Sequence, residues 1–226
     1  MFSGDFGEKA VFLIITMPLF MVSIAAHELA HGWVANRCGD PTAKLAGRLT
    51  LNPMAHIDPL GMLVFVLTAL GGVGFGWAKP VPVNPLLFRN PRKDIIKVSL
   101  AGVGANLALV VFSIVAIKLL ITIGFFKMHG GLYGDSVLAD WMLRIMLWMM
   151  FFNSVLIVFN LIPIPPLDGS KVVMMLLPPD SARAFARIEP YGMMIVFLLI
   201  FAGVISKIIS FFVGIVWNVA VVILSL

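Results

Sequence analysis

Charged residues are scarce in this chain of 226 residues, and their scarcity excludes a soluble globular protein. Only 12% of the residues are charged and 61% are hydrophobic, with a mean hydropathy of +1.05, whereas about a quarter of the residues in a soluble domain are charged. The single cysteine, Cys38, excludes an internal disulfide. Ten-residue segments of alternating hydrophobicity are also lacking, which excludes a porin-type barrel. The composition predicts an all-α polytopic membrane protein.

Long apolar runs are present instead, and a helix needs roughly 20 apolar residues to cross a bilayer. We predict five to six hydrophobic helices or half-spans, with the last run divided into two spans or into a span and a re-entrant helix. The stretches GRLTLNP and WAKPVPVNP, between the first and third runs, alternate briefly and contain prolines, which predicts β-like or polyproline segments. The apolar runs cover residues 10–36, 60–77, 98–123, 141–161 and 191–226.

Basic residues concentrate in particular loops, and this distribution predicts the orientation of the chain. Residues 37–58 and 78–97 are rich in lysine and arginine, whereas the loop after the third run is weakly acidic. Basic loops stay on the cytoplasmic side, so we expect both basic loops inside and the N-terminus outside. The glycine-rich run at 60–77 would then enter and leave on the same side as a re-entrant hairpin. A full crossing is the alternative.

An ionisable cluster, HELAH at residues 27–31, lies inside the first apolar run. Positions four apart share one face of a helix, so His27 and His31 can bind the same metal ion. Glu28 lies close enough to reach water at that ion, as in the H-E-x-x-H pattern of zinc proteases. An uncompensated carboxylate at mid-membrane costs a few kcal/mol. We therefore interpret the cluster as a site for one Zn²⁺ rather than as a hydrogen-bonded packing cluster.

A third protein ligand is needed, and it has to approach from the cytoplasmic side. His27 precedes Arg37 by ten residues, which places it about 15 Å from that end of a regular helix. Asp168 is the preferred candidate because the prolines of NLIPIPPLDGS prevent a continuous helix and let the chain turn back towards the bilayer. Its alternative role is to cap the helix that begins near Ser170. The other candidates are Asp40, His56, Asp58 and Asp94.

Taken together, these motifs resemble the site-2 protease family of intramembrane zinc metalloproteases, in its compact prokaryotic form without PDZ or CBS domains. The matching segments are HELAH (27–31), SLAGVGANL (99–107) and NLIPIPPLDG (160–169). The resemblance implies that His27, His31 and Asp168 bind zinc. It also implies that Glu28 is the general base.

Asn106 matches the asparagine of the family's third-span motif, which is expected near the substrate or the developing oxyanion. Val103 departs from the family, because its members usually have a proline there. The departure leaves a second role open for Asn106, namely an amide hydrogen bond between helices. His56 and Asp58 could orient an imidazole around the metal, but we interpret them as residues of an interfacial turn.

These observations predict a zinc-dependent endopeptidase that cleaves transmembrane or membrane-associated proteins near the cytoplasmic side of the cell membrane. Residues 1–226 would form a single intramembrane metalloprotease domain. Its partners would be the substrate and the lipid bilayer, not nucleic acid, since the basic residues lie in short loops suited to an anionic membrane surface. GRLTLNP or PVPVNP could pair with an extended substrate.

A divalent metal-ion transporter that uses the same His/Glu cluster is the alternative function. It would need ligands on a second span, but the third and fourth runs offer only the amides of Asn106, Asn153 and Asn160, with no histidine or carboxylate. A catalytically silent relative is disfavoured because Glu28 is intact.

Overall fold

Helices make up most of this computed structural model, which describes residues 6–70, 75–128 and 131–224. Short 3₁₀ turns lie at Pro53–His56, Pro85–Leu87 and Glu189–Tyr191. In chain order the elements are α1 (Phe6–Cys38), α2 (Thr42–Leu45), α3 (Pro59–Leu70), α4 (Pro91–Thr122), β1 (Phe126–Met128), β2 (Leu132–Gly134), α5 (Val137–Leu161), α6 (Asp168–Leu176), α7 (Pro179–Ala186), α8 (Gly192–Phe201) and α9 (Val204–Leu224).

Five stretches of the described chain are long and apolar enough to cross a membrane, which confirms the all-α polytopic fold. A bilayer offers the backbone no hydrogen-bond partners, so helices that satisfy their own amides are favoured there. The last apolar run divides at Gly203, whose φ of +73° lies in the left-handed region that favours glycine. The candidate spans are Leu13–Cys38, Pro91–Thr122, Val137–Leu161, Pro179–Phe201 and Val204–Leu224.

Helix α4 lies between α1 and α5 and packs against both. Its buried side includes Val98, Gly102, Asn106 and Val110, which recur every fourth residue and therefore share one face of the helix. Its other face carries exposed apolar side chains such as Phe112. Small and amide side chains such as Gly102 and Asn106 thus let α4 pack closely at the centre of the bundle.

Helix α3 belongs to a re-entrant hairpin rather than to a full span. Its twelve residues extend about 18 Å, which is well short of a hydrocarbon core of about 30 Å. Thr68 Oγ1 accepts a hydrogen bond of 2.8 Å from the Phe75 amide, so Phe75 lies against the last turn of α3. Ala78, after the hairpin, forms an antiparallel bridge with Ile57, before it. The two ends of the hairpin therefore lie side by side, as the distribution of basic loops predicted.

Close packing within the hairpin depends on Gly61. A methyl group at Gly61 would lie 2.2 Å from the Trp77 carbonyl oxygen, so only glycine lets α3 and the returning chain approach this closely. The ring of Phe75 packs edge-on against Phe159 of α5 and Phe197 of α8. These contacts fix the hairpin against the helical bundle.

The β-like structure between the first and third spans is more limited than the sequence predicts. Neither GRLTLNP nor WAKPVPVNP forms a strand, and their part in β-structure is the single bridge of Ala78. Lys79 N–H donates to the His56 carbonyl at 2.9 Å as part of that bridge. The bridge does not extend because the next amides have other partners: Val81 N–H and Asn84 N–H donate to carboxylates. A short hairpin that was not predicted, β1–β2, lies beyond α4.

Candidate metal centre

Three ionisable side chains from two separate helices converge in the interior. His27 and His31 project from one face of α1, and Asp168 is the first residue of α6. The two Nε2 atoms are 2.9 Å apart, and Asp168 Oδ2 lies 3.3 Å from His27 Nε2 and 3.0 Å from His31 Nε2. The three residues are only 6%, 8% and 5% exposed. The preferred third candidate of the sequence analysis thus lies beside the histidine pair.

The turn between α5 and α6 brings Asp168 to this position. Helix α5 ends at Leu161, and the proline-rich segment turns tightly, with the Leu167 amide donating to the Ile164 carbonyl at 3.0 Å. A methyl group at Gly169 would lie 2.4 Å from the Leu161 carbonyl oxygen, so glycine is required for α6 to start this close to the end of α5. The N-cap position of α6 falls on Leu167. Asp168 therefore contacts the imidazoles instead of capping the helix.

The contacts of the two Nδ1 atoms determine which imidazole nitrogens carry lone pairs. His31 Nδ1 lies 2.6 Å from the Val98 carbonyl oxygen, which can only accept, so this nitrogen carries the hydrogen. His27 Nδ1 lies 2.5 Å from Asn106 Oδ1 and has the same role. In the neutral imidazoles both Nε2 atoms are then acceptors, and they face each other and a carboxylate oxygen. Three buried lone pairs in contact repel one another unless a cation lies between them.

The residues present fit a zinc ion. Ligand atoms in a tetrahedral zinc site with bonds of about 2.0–2.1 Å lie roughly 3.3 Å apart, and the three atoms here are 2.9, 3.0 and 3.3 Å apart. Two neutral imidazoles and one carboxylate are a common donor set of catalytic zinc sites. Lys171 Nζ lies 3.0 Å from Asp168 Oδ1 and favours the ionised carboxylate. Across the described ranges, His27, His31 and Asp168 are the one group of His, Cys, Asp and Glu side chains that can hold a metal.

Helix α4 approaches the imidazoles through a glycine. A methyl group at Gly102 would lie 2.5 Å from His27 Cε1 and 2.6 Å from His31 Nε2. The backbone of α4 therefore forms one wall of the site, and a larger residue at this position would displace the ligands.

Glu28 is held by the segment that follows the re-entrant hairpin. Its Oε2 accepts a hydrogen bond of 2.8 Å from the Val81 amide. Three residues further on, the Asn84 amide donates at 2.6 Å to Oδ2 of Asp40, a fully buried carboxylate in the turn after α1. Carboxylates thus bind the segment at two points, and the first is the glutamate of the HELAH motif.

Asp40 is ionised in this arrangement. Burial tends to raise the pKa of its carboxyl group, but hydrogen bonds from the Thr42 hydroxyl and from the Asn84 and Thr42 amides lower that pKa overall. The charged form is favoured because every one of these groups donates to it.

The other ligand candidates lie outside the cluster and form local bonds. His56 Nε2 contacts the Thr50 carbonyl oxygen at 2.9 Å, and Asp58 Oδ1 accepts from the Gly61 amide at 2.8 Å at the start of α3. These contacts agree with the interpretation of His56 and Asp58 as turn residues. Asp94 pairs with Lys97 in the first turn of α4, at 2.8 Å.

Asn106 is completely buried, and its amide lies behind His27. Its Nδ2 donates to Asn153 Oδ1 at 2.7 Å, and Asn153 in turn contacts Ser23. Neither Asn153 nor Ser23 was predicted from the sequence as part of the site. Two sequence features could have indicated them: Ser23 lies one helical turn before His27, and Asn153 is a polar residue within an apolar run.

This buried histidine pair, completed by an aspartate from beyond a later span of a helical membrane bundle, is the arrangement of a membrane-embedded zinc metalloprotease. The chain belongs to peptidase family M50, the site-2 protease family, whose model matches residues 15–203. It is therefore a multi-pass membrane protein and a zinc metalloendopeptidase.

Curated relatives agree with this assignment. The chain is 41% identical over 197 residues to "Putative zinc metalloprotease YwhC" of Bacillus subtilis, which covers 84% of this chain and 80% of the relative. It is 31% identical over 198 residues to "Putative zinc metalloprotease Rip2" of Mycolicibacterium smegmatis, covering 86% of this chain and 69% of the relative. No solved structure gives a significant match to the chain.

Replacing Gly102 by alanine is expected to weaken zinc binding at least tenfold, because the added methyl group overlaps both imidazoles. Chelator competition with the purified protein in detergent measures this affinity. Gly104→Ala is the matched control, since a methyl group there meets nothing within 4 Å. Equal zinc affinity of the two variants would contradict the described packing of α4 on the ligands.

Replacing Asp40 by asparagine is expected to destabilise the protein by roughly 1–3 kcal/mol near neutral pH, because a buried hydrogen-bonded charge is lost. The folded-state pKa of Asp40 is lowered, so its contribution is fully present above the unfolded pKa of about 3.9 and is lost as the pH falls through the folded value. Thermal unfolding of both proteins between pH 7 and pH 3 measures the difference. A gap in stability that widens on acidification would contradict the assigned ionisation.

Proposed function

We propose that this chain is a zinc-dependent intramembrane endopeptidase that hydrolyses peptide bonds of transmembrane or membrane-associated proteins near the cytoplasmic side of the cell membrane, with residues 1–226 acting as one domain. The observation that carries the proposal is the convergence of His27, His31 and Asp168 inside a helical membrane bundle, with Glu28 beside them on α1. A soluble peptidase has no need to bury such a site among candidate membrane spans.

In this proposal the two imidazoles and the Asp168 carboxylate hold the zinc ion. When bound, zinc polarises a scissile carbonyl group and lowers the pKa of water towards neutrality. Glu28 accepts the proton of the attacking water and later passes it to the nitrogen of the leaving amine. The Val81 amide fixes Oε2 of Glu28, which leaves Oε1 for the proton. Asn106 acts through His27, whose Nδ1 it contacts, instead of through the substrate.

The side of the membrane follows from the position of the basic loops. The hairpin ends at Ile57 and Ala78 meet, so residues 37–58 and 78–97 lie at the same end of the bundle. Asp168 follows the end of α5 and reaches histidines located in the last three turns of α1. We place this end at the cytoplasm, where basic loops are retained, and the N-terminus outside.

The substrate has to be extended at the cleavage point, because a helix hides its carbonyl groups in its own hydrogen bonds. Of the two segments that could pair with it, residues 79–84 are the poorer edge. The amides of Lys79, Val81 and Asn84 are already bonded, and prolines at positions 80 and 82 have no amide hydrogen. In residues 48–52 the amides of Arg48 and Asn52 are bonded, but no hydrogen bond is described for the amides of residues 49–51, and Leu51 is exposed. We therefore propose that residues 48–52 supply the edge.

Replacing Leu51 by proline is expected to reduce cleavage about tenfold without loss of zinc, since only an edge amide is removed. Leu51→Ala, which keeps that amide, is the control. The substrate is first found by comparing envelope peptides of cells that carry active and inactive enzyme. Unchanged cleavage by the proline variant would exclude this edge.

The role of Glu28 is tested by Glu28→Gln in proteoliposomes. Cleavage of the same substrate is expected to fall by about 10²–10⁴-fold, because glutamine cannot accept the proton, while zinc stays bound. Asp168→Ala is expected to lose zinc and cleavage together, and Asp180→Ala, which removes an exposed carboxylate of α7, is expected to lose neither.

Two results would overturn the proposal. Cleavage that survives in the Glu28→Gln variant would exclude a general base at this position. Zinc flux across the proteoliposome membrane without peptide hydrolysis would favour the metal-ion transporter.

A further inference from the structure

We propose that Asn153 of α5 is a positioning residue for the metal centre: through Asn106 it keeps the hydrogen of His27 on Nδ1, so that Nε2 is presented to zinc. The inference rests on the proposed function, since it requires that His27 is a zinc ligand. It adds α4 and α5 to the helices that determine the geometry of the site. Asn153 itself is not one of the candidate zinc ligands.

The first step is the orientation of the Asn153 amide. Its Nδ2 lies 2.7 Å from the Met149 carbonyl oxygen, one turn earlier in α5. A backbone carbonyl can only accept, so the NH₂ group of Asn153 has to face it. The Asn153 oxygen is thereby turned towards α4, where it lies 2.7 Å from Asn106 Nδ2.

The second step transfers this orientation to the histidine. Asn106 donates through Nδ2 to Asn153, so its Oδ1 faces His27 Nδ1 at 2.5 Å. The Ser23 carbonyl oxygen, 3.5 Å from the same Nδ2, supports this arrangement of the Asn106 amide. An amide oxygen has no hydrogen to give, so His27 Nδ1 has to donate, and in the neutral imidazole that binds a metal Nε2 keeps its lone pair. A backbone carbonyl on α5 thus selects the tautomer of an imidazole on α1.

Ser23 completes the network at its far end. Its hydroxyl oxygen accepts from Asn153 Nδ2 at 2.9 Å and donates to the Leu19 carbonyl oxygen at 2.9 Å. Every hydrogen bond of the network is therefore donated in the same direction. His27 donates to Asn106, Asn106 donates to Asn153, and Asn153 donates to the Met149 carbonyl oxygen and to the Ser23 hydroxyl. Ser23, Asn106 and Asn153 are each 0% exposed, so water cannot replace a missing partner and reverse the network.

The two histidines differ in this respect. His31 Nδ1 is oriented by the Val98 carbonyl oxygen, a backbone group that no side-chain substitution removes. His27 has no such backbone partner among its described contacts and depends on amide side chains of α4 and α5. Partners behind a ligating histidine set its tautomer and ring orientation, and their loss commonly weakens metal binding 10–100-fold.

The test measures zinc itself, so it needs no substrate. Asn153→Leu and Asn153→Ala both remove the amide but differ in volume, so an effect common to both is due to the lost hydrogen bonds. Ser154→Ala is the matched control, because Ser154 is the next residue, is 1% exposed and bonds only within its own helix, to the Met150 carbonyl at 2.7 Å. The full chain is purified in detergent, and its zinc affinity is measured by chelator competition.

Both Asn153 variants are expected to bind zinc about tenfold more weakly than the wild type, and Ser154→Ala is expected to bind it normally. The visible absorption of the cobalt-substituted protein, which reports the geometry of the ligands, should also change in the Asn153 variants alone. Ser23→Ala should have less than a threefold effect, because the Met149 carbonyl still orients the Asn153 amide. If the leucine variant does not fold, the alanine variant carries the test.

The outcomes separate this inference from the proposed function. Wild-type zinc affinity and an unchanged cobalt spectrum in the Asn153 variants, with only a lower melting temperature, would show a merely structural role and overturn the inference alone. A wild-type protein that holds no zinc would overturn the proposed function as well.

Discussion

The contact between three buried acceptor atoms is the constraint on which the rest of the structure depends. His27 Nε2, His31 Nε2 and Asp168 Oδ2 lie 2.9–3.3 Å from one another in the interior of a membrane protein, where no bulk water screens their repulsion. With both imidazoles neutral, such a group is stabilised by a cation between the three atoms. It also needs rigid support, because three ligands have to be kept in position before the ion arrives.

That support comes from close contacts between backbone segments and their neighbours at three glycines. Glycine at position 102 lets α4 touch the imidazoles, glycine at 169 lets α6 start against the end of α5, and glycine at 61 closes the re-entrant hairpin. In each case a methyl group would overlap neighbouring atoms, so close approach and ligand position are linked. Hydrogen bonds then fix the side chains: backbone orients His31, two amides orient His27, and the segment after the hairpin orients Glu28.

The hairpin also determines which segments lie beside Glu28. It returns the chain to the side from which it started, and residues 79–84 then lie along the site, bonded to Glu28 and Asp40. The Val81 and Asn84 amides donate to these carboxylates and are therefore not free to pair with another strand. For this reason the segment forms only the one β-bridge at Ala78. Because these amides are already bonded to Glu28 and Asp40, we propose residues 48–52 as the edge for the substrate.

Periodicity and composition were sufficient to predict the helical membrane fold, the HELAH ligand pair and the division of the last apolar run, because lipid forces long apolar helices and a helix places residues four apart on one face. The distribution of basic loops favoured a re-entrant hairpin over a full crossing but left both open. Asp168 was already the preferred third ligand, because the prolines before it prevent a continuous helix. Other features required the tertiary structure: the partners of Asn106 and the part played by Asn153 and Ser23. The physical reason is that hydrogen bonds between helices depend on which faces meet and at what height. The sequence of one helix does not determine which of its faces meets a neighbour or how far the two helices are shifted along their axes. Only the packed bundle determines these two properties.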